Sequence, residues 1–100
     1  MFARVITAQV DENGSDNLIR LANQQLPGAR QRPGFAGFFL LVNESTGKVI
    51  NISLWRTRED MEAVAQGTPD GIHDEGVSET GLSSLRLETY EVAINLIVAP

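Results

Sequence analysis

Cysteine is absent from the sequence. Disulfide scaffolds, thiolate nucleophiles and cysteine-ligated zinc or iron–sulfur centres are therefore excluded. Long apolar runs are missing too, since no stretch approaches the roughly eighteen residues of a membrane span. The opening Met1-Phe2-Ala3-Arg4-Val5-Ile6 lacks the basic region and apolar core of a secretory leader, so the chain is expected to stay in the cytoplasm and meet no membrane. Basic residues are sparse: eight Lys plus Arg against thirteen Asp plus Glu leave a net charge of −5. With no dense basic patch to neutralise phosphates, nucleic acid is not an expected partner. Neither HExxH nor EF-hand spacing occurs, nor a P-loop, a GxGxxG turn or a GxSxG elbow. Metal, nucleotide and acyl-transfer chemistry are thus not expected, and no cofactor is assigned.

What is present fits one domain of 100 residues, a size at which the core is thin and often completed by a partner. Residues 2–10 carry Val5, Ile6 and Val10 and run into Asp11-Glu12-Asn13-Gly14, a strand followed by a turn. From Asp16 the period becomes helical, with Leu18, Leu21, Ala22, Gln25 and Leu26 on one side, Ile19 widening the stripe, and Ser15 or Asp16 as cap. Pro27-Gly28 ends that helix there or soon after. Residues 35–43 read as a strand with two apolar rows, Phe35/Gly37/Phe39/Leu41 and Ala36/Phe38/Leu40/Val42. A turn at Asn43-Glu44-Ser45-Thr46-Gly47 joins it to a strand over residues 48–55. In that strand Ile50, Ile52 and Leu54 form one face, expected against helices; Val49, Asn51, Ser53 and Trp55 form the other. Thr57 caps a second helix with the apolar stripe Met61, Val64 and Ala65, broken by Gly67-Thr68-Pro69-Asp70-Gly71. Residues 72–84 read as a short helix or turn followed by a loop. Residues 85–98 read as a last strand, which at about 3.3 Å per residue would span roughly 46 Å. That exceeds one small sheet, so a bulge bends it or its end pairs with another subunit.

The order strand, helix, strand, strand, helix, strand is the α+β ferredoxin-like, split βαβ arrangement: an antiparallel sheet with helices on one face. Its other face is bare in a single subunit, yet the strands are apolar on both sides. Packing two sheets face to face would bury the second side, including Phe35 or Phe38 and their row-mates. Hiding about 600 Å² of apolar sheet per subunit is worth roughly 15 kcal/mol. Association costs about 4–15 kcal/mol. A homodimer through the open sheet face and the C-terminal strand is the expected assembly.

Pro33-Gly34-Phe35-Ala36-Gly37-Phe38, the hairpin Asn43-Glu44-Ser45-Thr46-Gly47-Lys48, the strand end Leu54-Trp55, the run Arg56-Thr57-Arg58-Glu59-Asp60-Met61 and the terminal Tyr90-Glu91-Val92 together resemble the antibiotic biosynthesis monooxygenase family of the dimeric α/β-barrel superfamily. The resemblance spans nearly the whole chain as one domain, residues 1–100. It implies a barrel built across a dimer, with a cleft in each subunit between helices and sheet. Members include cofactor-independent oxygenases of aromatic phenols, haem-degrading oxygenases and proteins with no established reaction, so the fold is narrowed more than the function.

Residue by residue, Trp55 offers a flat face for stacking on a planar aromatic, or seals the helix against the sheet. His73, beside Asp74 and Glu75, is the one side chain that titrates near neutrality, and so the expected general base. In an acidic, polar stretch it also reads as a surface residue. The resemblance to phenol oxygenases implies that Asn51 and Ser53 bind phenolic oxygens, that Trp55 and Phe39 supply apolar walls, and that Tyr90 or Arg56 contacts a rim oxygen. Asn51 and Ser53 read equally as hydrogen-bonding groups at a dimer interface, and Arg56 and Arg58 as solvated helix-start residues. The haem-degrading relatives carry an asparagine in the first strand, a tryptophan in the second helix and a histidine after it. Here Ile6, Thr7 and Ala8 occupy the first position and Val64 the second, leaving only His73 in agreement. The competing class is a non-catalytic homodimer that binds a small ligand or serves as a structural partner.

Overall fold

The computed structural model describes residues 1–11, 14–64 and 83–98. In chain order the elements are β1 (Phe2–Gln9), α1 (Gly14–Ala29), β2 (Phe35–Asn43), β3 (Lys48–Trp55), α2 (Arg58–Val64) and β4 (Ser83–Glu91). The strands form one sheet in the order β2-β3-β1-β4, and every neighbouring pair is antiparallel. This is the expected α+β, ferredoxin-like, split βαβ fold. His73 and the breaker at residues 67–71 lie outside the described residues.

Register decides which side chains share a layer. Phe2 faces Trp55, Arg4 faces Ser53, Ile6 faces Asn51 and Ala8 faces Val49, and cross-strand partners lie on the same side of a sheet. Leu18 of α1 packs with Ile6, Ala8 and Val49, while Met61 of α2 packs with Trp55, Phe2 and Phe35. Both helices therefore cover the row containing Val49, Asn51, Ser53 and Trp55, all of it buried. This reverses the expected orientation of β3: Ile50, Ile52 and Leu54 are half-buried on the open side. The cause is local. α2 begins three residues after Trp55 and folds back over the end of β3, so Met61 lands on the indole rather than on Leu54.

A second correction concerns β2. Its register slips between Phe35, paired with Trp55, and Gly37, paired with Leu54. Ala36 is the extra residue of a bulge, and it turns Phe35 away from the row of Gly37, Phe39 and Leu41. Phe35 and Phe38 consequently face the helices, while Phe39 and Leu41 are exposed on the open side. The open face is thus covered by Val5, Phe39, Leu41, Ile50, Ile52 and Leu54, and not by Phe35 or Phe38.

The ends of the elements have identifiable causes. α1 starts two residues before the expected Asp16, where the Gly14 N–H donates to the Asp11 carbonyl at 3.0 Å. Pro27 lies inside its last turn, and the helix stops two residues later. At α2 the Thr57 hydroxyl accepts from the Asp60 N–H at 3.1 Å, the expected cap. Asn43 folds the hairpin by accepting from the Ser45 and Thr46 N–H groups at 3.1 and 3.3 Å. β4 ends at Glu91, short of the expected residue 98. Its last rung is the Val92 N–H donating to the Met1 carbonyl at 2.9 Å. Since β1 begins at Phe2, residues beyond Val92 have outrun their neighbour; Ile94, Leu96, Ile97 and Val98 are 70–87% exposed. A register shift between Thr7 and Gln9 bends the β1–β4 pair at its other end.

Candidate functional site

Helix-facing side chains form transverse lines across the sheet. One line is Phe38, Ser53, Arg4 and Thr89; beside it on one hand run Leu40, Asn51, Ile6 and Leu87, and on the other Phe35, Trp55, Phe2 and Glu91. The apolar clusters sit toward the two ends, one around Leu18 and Val49, the other around Trp55 and Met61. Between them lies a polar band of Arg4, Asn51 and Ser53, which are 3%, 2% and 0% exposed. Trp55, at 0% exposure, borders it. Its indole N–H donates to the Ser53 Oγ at 3.0 Å, and Phe35 meets it edge-on with ring centroids 5.5 Å apart and planes at 81°.

The residues singled out from the sequence divide between the two sides. Asn51, Ser53 and Trp55 come together under the helices. Phe39 pairs with Ile52 on the open side, so it cannot form a wall with Trp55. Tyr90 also faces the open side, paired with Ala3, and its hydroxyl donates to the Glu88 carboxylate at 2.9 Å. That hydrogen bond holds the Tyr90 phenol above its ordinary value of 10.0, with desolvation and the charge of Glu88 adding to the rise and Arg86 opposing it. Arg56 is exposed, and its backbone N–H donates to the Gly34 carbonyl at 2.8 Å. Arg58 lies over the Phe2 ring, 5.1 Å from its centroid.

Arg4 was not singled out from the sequence, although a signal existed. In a strand of period two, Phe2, Arg4, Ile6 and Ala8 share a face, and one cation in an apolar row is an anomaly. Of the recesses lined by described residues, those of about 510, 480 and 190 Å³ lie at the edges and ends of the sheet. Trp55 and Asn51 line none of these three. Among the described residues no group of three or more His, Cys, Asp or Glu stands close enough to hold a metal ion, and no helix is long and apolar enough to cross a membrane.

The sequence profile described as "Antibiotic biosynthesis monooxygenase" matches residues 1–68. The chain belongs to the antibiotic biosynthesis monooxygenase family. A sequence search of curated proteins finds no match. Solved structures carry this family's fold further. The monooxygenase ActVA-Orf6 of Streptomyces coelicolor, in complex with nanaomycin D, superposes with a TM-score of 0.73 at 18% identity, covering 98% of this chain and 92% of that one. The haem degrader MhuD from Mycobacterium tuberculosis, with two haems bound in its active site, gives 0.72 at 16% identity over 96% and 99% of the two chains. SnoaB, a cofactor-independent oxygenase from Streptomyces nogalater, gives 0.71 at 14% identity over 95% of each. At these identities the likeness concerns the fold, and relatives on one fold differ in what they act on.

Proposed function

We propose that this member of the family is a homodimer, joined through its open sheet faces and C-terminal segments, that oxidises a small aromatic or polyketide-type phenol with dioxygen and no resident cofactor. The observation that carries the reading is the polar band of Arg4, Asn51 and Ser53, flanked by Phe35, Phe38 and Trp55 on the helix side of the sheet. Aromatic walls with a few polar groups match what a planar, oxygenated ring requires. The relatives named above as a monooxygenase and a cofactor-independent oxygenase support it.

The chemistry asks little of the protein. An anthrone-type phenolate gives one electron to dioxygen, the radical pair recombines at carbon, and loss of water leaves the quinone; substrate plus O₂ becomes quinone plus H₂O. The chain has to bind the ring, favour loss of the phenolic proton and keep bulk water away. Asn51 and Ser53 are assigned to the substrate oxygens. His73, the single histidine, is assigned as the base. Phe39, Leu41, Ile52 and Tyr90 are assigned to the subunit interface. Haem degradation is less favoured, because the helix-facing β1 position opposite Asn51 is Ile6, which belongs to an apolar cluster.

A second reading, a non-catalytic homodimer, draws on one observation: Trp55, Asn51 and Ser53 are almost entirely enclosed. Oxygen uptake with anthrone-type phenols separates the two. The oxygenase reading expects uptake that depends on protein, falling by about tenfold or more in His73→Ala and Asn51→Ala. Uptake indistinguishable from the uncatalysed rate leaves the structural reading; protein-dependent uptake that is unchanged in both variants removes His73 and Asn51 from the site.

A further inference from the structure

We propose that the recess where β1, β3 and β4 meet, on the side of the sheet opposite Trp55, binds a hydrogen phosphate group, free or carried by a small phosphomonoester. The inference stands apart from the oxidation proposed above, since it uses none of Asn51, Ser53 and Trp55.

The recess has a volume of about 510 Å³, and its lining includes Thr7, Gln9, Lys48, Ser84, Arg86 and Glu88. Register explains why these side chains converge. Gln9 pairs with Lys48 on one side of β1, and Thr7 pairs with Arg86 on the other, so all four lie on one face. Lys48 and Arg86 therefore stand two strand spacings apart, about 10 Å across the sheet, with the shorter side chains of β1 as a floor between them. Two long cationic side chains can bend inward over that floor onto one ligand. A bulge completes the wall: between Thr7 and Gln9 β1 has one residue, whereas β4 has two, Ser84 and Leu85. Ser84 has a φ of 55°, the one positive value at a non-glycine position among the described residues. Glycine adopts that backbone freely and serine does not. Such strain gathers where a side chain has a task, and here it turns a hydroxyl-bearing residue to the recess.

Three charged residues line the recess: Lys48, Arg86 and Glu88. Glu44, in the adjoining hairpin, lines a different recess together with Asp11 and Asp16. Among the described residues no carboxylate forms an ion pair with Lys48 or Arg86, so two cations against one carboxylate leave the lining positive in a chain whose net charge is −5. Two cations and two hydroxyls, reaching in from three strands, offer donors in several directions. A tetrahedral oxyanion accepts from all of them, whereas a carboxylate has only two coplanar oxygens. Glu88 then chooses among tetrahedral anions. Its carboxylate accepts from the Tyr90 hydroxyl at 2.9 Å and, as an acceptor-only group, has further lone pairs to offer. Hydrogen phosphate brings a P–OH that donates to them. Sulfate brings acceptors alone and is repelled.

The test is calorimetric titration of the full chain at neutral pH and fixed ionic strength with inorganic phosphate, sulfate and acetate. Wild type should bind phosphate about tenfold more tightly than sulfate, and acetate more weakly still. Lys48→Gln and Arg86→Gln, both at exposed positions, should each weaken phosphate binding by about fivefold or more. Glu88→Gln should bring sulfate level with phosphate. Ser84→Gly should weaken phosphate binding without lowering the urea midpoint, a combination that a serine with only a structural role would not give. Methyl phosphate separates the two sources: tighter binding than the free ion assigns the recess to a phosphomonoester, weaker binding to phosphate itself. Phosphate bound no better than acetate, or with an affinity unchanged in both Lys48→Gln and Arg86→Gln, overturns the proposal. Sulfate bound by wild type as tightly as phosphate overturns the assignment to hydrogen phosphate. No arm uses an aromatic ligand, so these outcomes are separate from those of the oxygen-uptake experiment.

Discussion

Gly34 has a φ of 76°, and a methyl group there would overlap the Asp60 carboxyl. Its carbonyl meanwhile accepts from the Arg56 N–H, so this one residue ties the entry of β2 to the start of α2. Gly34→Ala should therefore lower unfolding stability by about 1–3 kcal/mol, combining left-handed backbone strain with displacement of Asp60. Urea denaturation checks it, and an unchanged midpoint would show that the turn relaxes freely. The sequence makes the glycine visible as a breaker but not its partner, because the clash is with a residue in another element. Trp55 and Arg4 show the same boundary from opposite sides. The place of the tryptophan at the strand–helix junction is readable from the chain, whereas its enclosure depends on Met61, Phe2 and Phe35 arriving together. The parity that puts Arg4 among Phe2, Ile6 and Ala8 is readable too, but a charge near a terminus passes for a solvated one until the register is known.

Elements were easier to read than their orientation. Apart from β4, which runs Ser83–Glu91 where residues 85–98 were expected, each strand and helix in the described residues occupies nearly its expected span, since alternation, caps and breakers are local signals. The facing of β3 was inverted because both its rows are plausible core: three aliphatics on one side, a valine and a tryptophan with two small polar residues on the other. Hydropathy favours the first row. The position of α2 selects the second. The cap of α2 is a case where local chemistry and structure agree, and for a helix this short, Arg58–Val64, it matters more than in a long one. Thr57→Ala should cost about 1 kcal/mol by leaving the Asp60 N–H without its hydroxyl acceptor. Thr57→Ser should restore most of that in thermal or urea unfolding. Equal stabilities for all three proteins would assign no role to the hydroxyl.

At the scale of the whole molecule, both described helices lie on one face of a single sheet and, among the described residues, no helix covers the other. Phe39 and Leu41 stand exposed beside half-buried Ile50, Ile52 and Leu54, an apolar expanse that a monomer rarely leaves in water. Ile52→Lys puts a cation at its centre while leaving the helix-side clusters untouched. Light scattering at micromolar concentration should show wild type as a dimer and Ile52→Lys shifted to monomer, with the far-ultraviolet spectrum retained; a monomeric wild type would sink the paired architecture.

The bulge at Ala36 has a consequence for growth as well as for facing. β2 is an outer strand of the sheet, and an outer strand with regular pleating invites further chains to stack on it in register. The kink breaks that regularity at its first residues and weakens it as a template. Ribbon-like growth through the rim of the sheet is thereby discouraged.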